Sequence, residues 1–354
     1  MKKETEYDVI VIGAGASGLM AAGVAGASGV RVLLLEKMSR AGLKLGITGK
    51  GRCNVTNLGE LEDFINSYSP DGRFLRNCFA RFFNRELMTF FEDRGVPLVV
   101  ERGQRVFPKS NRALDIVSAL LRFIREGGVT LLKEHPVQEI LQQEGRVQGV
   151  VSQGACFKAS QVVLAGGGAS YPQTGSGGEG YILARKAGHN LTAIRPWLIP
   201  LEVKEPWIKD LQGLSLKNVT ATLYLNNRKV ASEFGEMLFT HFGVSGPIIL
   251  TLSGKVADPS DQGKIELSIN FKPALSQEQL DERLQREFKT HHLKGLQGIF
   301  PFLVPKTLIP VMLDLVKIPG SKKGNQITSE ERGRLRRLLT DFRLSIKGTR
   351  PLEE

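Results

Sequence analysis

A chain of 354 residues, 41% apolar and 24% charged, is long enough for two or more domains with sizeable cores and excludes a low-complexity or disordered polypeptide. Three cysteines without a paired framework point to a reducing, cytoplasmic compartment; Glu4, Glu6 and Asp8 interrupt any signal peptide after Lys2-Lys3, and no run approaches the roughly 20 apolar residues of a membrane span. The formal charge of +12 is uneven: residues 321–350 hold nine Lys and Arg against three acids with Phe342 as the lone aromatic, so this stretch is either a solvated basic helix face or a patch for a polyanion such as nucleic acid.

The chain opens with "YDVIVIGAGASGLMAAGVAGASGVRVLLLEK". Residues 7–12 are a short β-branched run suited to a buried parallel strand, Gly13-x-Gly15-x-x-Gly18 follows at once, and an Ala- and Leu-rich stretch continues at helical spacing. A second strand at 31–35 ends in Glu36, with Lys37 beside it. Strand, glycine turn, helix, strand and acid in this order are the arrangement that holds a dinucleotide. Gly13 permits the turn, Gly15 admits a pyrophosphate to the backbone, and Gly18 lets the helix lie on the sheet. Ala16 and Ser17 open that helix, whose unpaired N–H groups and dipole face the phosphates, and Glu36 is placed to accept ribose hydroxyls.

Residues 48–57, "TGKGRCNVTN", imitate a phosphate-binding P-loop without matching it. Counting back from Gly49-Lys50 puts Lys44 where the first glycine belongs, and Gly51 replaces the metal-binding hydroxyl. Cys53 has no Cys or His at ligand spacing, so the sequence contains no zinc site. Residues 74–92 and 111–126 are helical in pattern, the second with Leu114, Val117, Leu120, Leu121 and Ile124 on one stripe. Residues 135–165 alternate as strands around a turn at Glu144-Gly145. "TGSGGEGY" at 174–181 repeats a glycine spacing with no strand before it, so a single dinucleotide fold is expected.

From about Thr192 the character changes. Strands are expected near 218–224, 229–234, 247–253 and 264–271, and capping boxes at Ser276/Gln279 and Thr328/Glu331 start helices. His241, in "FTHFGVSGP", is the candidate acid or carboxylate-binding residue of this region. The expected fold class is α/β: a three-layer Rossmann-like domain at 1–191, resuming with a returning strand at 341–354, and an inserted β-barrel-like plus helical domain at 192–340.

The segments "GAGASGLMAA", "GLKLGITGKGRCNVTN", "GGGASYPQTGSGGEGY", "HNLTAIRPWLIPL" and "GEMLFTHFGVSGP", in this order, resemble the BaiN/YhiN-type family of FAD-dependent oxidoreductases, over the whole chain. The resemblance implies FAD, with NAD(P)H or oxygen as its redox partner, and a small organic substrate that is unsaturated, a keto compound or an amine. It sets the loop with Lys44, Thr48, Gly49, Gly51, Arg52, Cys53 and Asn54 against the flavin and its pyrophosphate. Arg52 then neutralises phosphate or an anionic flavin, Asn54 bonds polar ring edges, and Cys53 packs as a small residue without a redox partner. By fold analogy Val137 offers its backbone to adenine, and Ala165, Gly166 and Gly167 pass near the flavin. Family members also continue past "DFRLSIKGTRPLEE" into a closing strand and helix, which implies a C-terminally truncated member with weakened FAD binding. An RNA-binding flavoprotein using residues 321–350 and an inactive flavin-binding relic are the alternatives.

Overall fold

The computed structural model describes residues 6–68, 72–256 and 263–351, in two compact units that divide after Ala193. Lys2-Lys3 and the last three residues of the expected returning segment lie outside the described residues.

The first unit holds strands β1 (Glu6–Ile12), β2 (Val32–Leu35), β3 (Thr56–Asn57), β4 (Leu98–Glu101), β5 (Arg105–Pro108), β6 (Thr130–Leu132), β7 (Val137–Gln143), β8 (Arg146–Ser152) and β9 (Ala155–Leu164). Its larger sheet runs β6-β2-β1-β9-β8-β7, and β3-β5-β4 form a separate small sheet. β1 pairs in parallel with β2 from Val9↔Val32 to Ile12↔Leu35, and with β9 from Glu6↔Lys158 to Ile12↔Leu164. Because strand side chains alternate between faces, β1 and β2 feed two cores. Val11, Val32 and Leu34 pack beneath helices α1 (Ala16–Ala27) and, after α2 (Leu43–Ile47), α3 (Ala113–Glu126). Ile10, Ile12, Leu33 and Leu35 pack on the other side with Val150 and Ala159 of the β7–β9 meander and Leu183 of α4 (Glu179–Lys186). The result is three layers: helices, sheet and meander.

Helix α1 lies close to α3 because it presents glycines. A Cβ on Gly23 would stand 2.3 Å from the Phe123 ring, and one on Gly26 would stand 2.5 Å from the Gly127 carbonyl oxygen. The buried stripe of α3 differs from the expected one: Ile116, Val117, Leu120, Phe123 and Ile124 are buried, whereas Leu114 is exposed. Glycine-faced α1 is the neighbour that selects the side with Phe123.

In the second unit β10 (Leu201–Val203), β11 (Ser215–Leu225), β12 (Arg228–Phe239), β13 (Gly243–Ser245), β14 (Ile265–Asn270) and β15 (Phe342–Thr349) form a closed barrel, in the order β10-β13-β12-β11-β14-β15. Helices α5 (Pro247–Ser253), α6 (Gln277–Thr290), α7 (Ile309–Val316) and α8 (Ser329–Thr340) contribute to its core. Both capping boxes form, with Ser276 Oγ accepting from Gln279 N and Thr328 Oγ1 from Glu331 N.

Two expectations are corrected here. Residues 247–253 are helix α5 and not a strand: Pro247 sits at the first helical position, where its fixed φ suits a helix and its missing N–H costs nothing. The strand at 342–349 does form, but it closes the barrel between β14 and β10, with Leu267↔Leu344 and Leu201↔Thr349, and does not return to the first sheet. Its buried Phe342, Leu344 and Ile346 complete the barrel core, which makes the pairing favourable.

Candidate dinucleotide site

The site is built where β1 ends. Gly13 turns the chain at φ 97°, and a Cβ there would stand 2.6 Å from the Ala165 carbonyl oxygen. Gly18 seats the first turn of α1 directly on that turn: its Cβ would stand 1.8 Å from the Gly13 carbonyl oxygen. Gly15 is different, since a Cβ there would meet no atom within 4 Å. The backbone at Gly15 therefore faces open space. Gly15 also caps α1 without a side-chain hydrogen bond, and the first turn holds no acid, so its amides remain available to an anion.

Glu36, at the tip of β2, is only 8% exposed. Ala14 N donates to its Oε2 at 2.7 Å and Met38 N donates to its Oε1 at 2.8 Å. Two backbone amides thus orient the carboxylate and satisfy part of its capacity, and each oxygen keeps a lone pair for further donors.

A cavity of about 480 Å³ opens beside these groups. Of the residues singled out from the sequence, Gly13, Gly15, Ala16, Ser17, Glu36, Lys37, Lys44, Thr48, Val137, Ala165, Gly166 and Gly167 line it together. Gly18 packs behind it. Gly49, Gly51 and Arg52 are not on its wall, while Cys53 and Asn54 line an adjoining apolar cavity of about 250 Å³ that shares Ala16 and Leu45 with the first. His241 lies in the second unit, exposed in the turn between β12 and β13, with its ring edge-on to Phe242. Among the described residues no group of three or more His, Cys, Asp or Glu could hold a metal ion.

The cavity wall also holds residues outside the predicted site; of these the sequence had pointed to Arg40, past the acid, and to the glycine spacing from Thr174 to Gly180, without placing them in it. Arg40, His135, Thr174, Gly175, Ser176, Glu179 and Gly180 line the cavity. Most belong to the "TGSGGEG" stretch, whose repeated glycines were the available signal. Lys37 Nζ pairs with Glu179 Oε1 at 2.5 Å, linking the end of β2 to the start of α4. Burial works to raise the Glu179 carboxyl, but the Lys37 hydrogen bond and nearby backbone amides outweigh it and hold the group below the usual carboxylate range. Lys44 Nζ donates to the Ser170 carbonyl oxygen at 2.6 Å, and burial pushes its ammonium down.

The arginine and the thiol of the glycine loop have separate surroundings. Arg52 pairs with Glu101, donates from Nε to Asn111 Oδ1 at 2.7 Å, and lies 4.2 Å from the centre of the Phe107 ring. These partners belong to the β4–β5 hairpin and the turn after it. Cys53 is 1% exposed in the core beneath α1 and α3. Burial pushes its thiol up, and a hydrogen bond with Thr48 only partly opposes this. The protonated thiol is a packing group. Alkylation of the native protein at neutral pH is expected to label exposed Cys78 and Cys156 and to spare Cys53; mass mapping that finds Cys53 modified at the same rate would refute this assignment.

Parallel strands, a glycine turn at a helix N-terminus and a buried acid at the second strand tip define a dinucleotide-binding protein of the Rossmann type. The model described as HI0933-like protein Rossmann domain matches residues 7–295, and the chain belongs to that family, the BaiN/YhiN-type FAD-dependent oxidoreductases. It is 31% identical to the 3-dehydro-bile acid delta(4,6)-reductase of Clostridium scindens, over 96% of this chain and 82% of that protein. It is 29% identical to the ribosomal RNA dihydrouridine synthase of Escherichia coli K12, over 97% of this chain and 82% of that protein. The protein of the same name from Haemophilus influenzae is 26% identical, over 86% and 73%. Among the described residues no helix is long and apolar enough to cross a membrane.

Proposed function

We propose that the cavity beside Gly15 binds FAD and that the protein saturates a carbon–carbon double bond conjugated to a carbonyl group, with NAD(P)H as the electron source. The observation that carries this reading is the pairing of open space at Gly15 with a buried, doubly oriented carboxylate at Glu36. The first suits a pyrophosphate and the second a ribose. The names of two of the relatives share one chemistry: a delta(4,6)-reductase and a dihydrouridine synthase both describe saturation of a ring double bond.

When bound, FAD supplies hydride from the N5 position of its reduced form. The residues of the chain do the rest. The α1 N-terminus offers amides to the two phosphates, Glu36 accepts from the ribose, and Val137 and His135 border the adenosine end. Lys44 brings positive charge to the cavity wall, which Thr48 also lines, and Asn54 edges the adjoining apolar cavity, where an acceptor ring would find an apolar bed.

A small organic acceptor is the first reading, because the basic segment at 321–350 offers little free charge. Lys322 pairs with Glu331, Arg332 and Arg336 with Asp281, Arg343 with Asp341, and Lys347 and Arg350 with Glu202. The test is anaerobic. Protein reconstituted with FAD is reduced with NADH or NADPH, mixed with a 3-oxo-4,6-diene bile acid, and followed by return of the flavin absorbance. Rapid return with a saturated product supports the reading. Tight FAD binding with no reoxidation by this acceptor removes the substrate class, and failure to bind FAD removes the cofactor.

A further inference from the structure

We propose, building on the reading of the dinucleotide cavity as the FAD site, that the ion pair between Lys37 and Glu179 is a latch at its mouth that governs how fast FAD enters and leaves. Lys37 follows the tip of β2, Glu179 opens α4, and both line the cavity, so their contact at 2.5 Å joins two parts of its wall. The side chains are 28% and 53% exposed, whereas Ala14, Leu35 and Glu36 of the same wall are buried. The pair therefore stands where the cavity meets solvent.

The connection from β9 to α4 has the form of a flap. Its two ends lie together: a Cβ on Gly166 would stand 3.4 Å from Gly180 Cα, and one on Gly167 would stand 2.9 Å from Ser176 Oγ. Gly167 at φ 77° and Gly178 at φ 92° bracket it in the left-handed region, where glycine turns without steric cost, and such positions absorb the backbone change of a closing loop. The outer part is seated on the segment after β2. Lys44 Nζ donates to the Ser170 carbonyl oxygen, and a Cβ on Gly175 would stand 2.8 Å from Met38 Cγ. Glu179 is the only charged residue from 166 to 180, so its bond to Lys37 is the one ion pair that fastens this stretch. Glu179 Oε2 also accepts from Gly177 N at 3.1 Å, which couples the carboxylate to the end of the flap.

Both partners belong to the chain, so the pair favours a closed mouth to the same extent with the cavity filled or empty. Such a contact alters entry and exit together and leaves the equilibrium nearly where it was, because it makes no difference between the two states. A side chain that touches the cofactor acts otherwise: its loss quickens departure and leaves arrival much as before. The two rates therefore separate a latch from a ligand.

The experiment follows flavin fluorescence, by stopped flow for FAD binding to the apo chain and by jump dilution for its release, in the parent, Lys37→Met, Glu179→Gln, the double variant and Lys37→Arg. Each neutral single variant is expected to raise both rate constants about three- to fivefold, the range a part-exposed pair allows, with Kd within about twofold of the parent. The double variant is expected to match the singles, and Lys37→Arg, which keeps the charge, to stay near the parent. Rates that do not move while FAD still binds overturn the latch alone; absence of FAD binding by the parent removes the cofactor reading and the latch with it. Faster release with unaltered association overturns the latch as well, by making these side chains cofactor ligands. So does slower association with a lower apo melting temperature, the mark of a structural brace, or effects that multiply in the double variant, the mark of independent roles.

Discussion

Gly15→Ala and Gly18→Ala, one turn apart on the same helix, are expected to fail in opposite ways. At Gly18 the new methyl would stand 1.8 Å from the Gly13 carbonyl oxygen and 3.3 Å from the Ala165 side chain, both part of the turn that shapes the site. Backbone cannot yield that far without lifting α1 off the sheet. The cost is at least the ~1–3 kcal/mol typical of overpacking, so the apo protein should melt several degrees lower and lose FAD binding as a consequence. At Gly15 the methyl meets nothing within 4 Å, and the residue's φ of −79° is open to any side chain. The apo protein should melt within about a degree of the parent, since surface changes of this kind cost within ~0.5 kcal/mol. FAD affinity should nevertheless drop tenfold or more, because the methyl occupies the approach of the pyrophosphate. Scanning calorimetry of the apo forms and FAD titration separate the two effects. Unaltered FAD affinity in Gly15→Ala would remove the turn from the cofactor site.

The second large effect is expected at Glu36. Its carboxylate is buried, and loss of a charge-assisted bond to ribose is worth about 1.5–3 kcal/mol, or about 10- to 150-fold in Kd. The structure adds a second cost, since Glu36→Ala leaves Ala14 N and Met38 N without their acceptors at the moment the ribose loses its own. Glu36→Gln keeps the shape but has one oxygen and a donor where two amides expect acceptors, so it should recover little. Isothermal titration of the apo variants with FAD measures both. Adenosine binding that weakens in parallel would localise the effect to the ribose. If both variants bound FAD like the parent, Glu36 would be a purely internal brace of the Ala14 turn.

At the glycine loop Arg52→Ala is expected to lower FAD occupancy more than Cys53→Ala, although by a different route from direct contact with the cofactor. Its guanidinium ties the loop to Glu101 and Asn111 and stacks on Phe107. The pair is about one-third exposed on each side, so the ion pair itself is worth no more than ~1 kcal/mol after solvent screening. The reciprocal exchange Arg52→Glu with Glu101→Arg should therefore restore much of the occupancy that either single change removes. Occupancy that stays low in the exchanged protein, measured by released flavin, would place the guanidinium against FAD after all.

The dinucleotide cradle was legible because it is local. Gly13, Gly15, Gly18 and Glu36 lie within one strand, helix and strand, and the alternation of β1 and the small residues of α1 are set by backbone period and by what a Cβ would strike. The capping boxes at Ser276 and Thr328 were legible for the same reason, each closing within four residues. Tertiary structure decided what depends on distant partners. The apolar run at 247–253 suits strand or helix equally by its pattern; Pro247 at the first helical position favours the helix locally, and its buried Ile248, Ile249 and Leu252 hold it against the barrel core. The strand at 342–349 has a period but no address: its place between β10 and β14 is chosen by which open edge buries Phe342, Leu344 and Ile346. Arg52 finds Glu101 across 49 residues and Lys37 finds Glu179 across 142, so neither role can be read from spacing. Charge behaves likewise. Composition counts cations, but only packing determines that Arg332, Arg343 and Arg350 of the basic stretch are matched by Asp281, Asp341 and Glu202, because an ion pair is a contact between side chains that the fold, and not the order of residues, brings within reach.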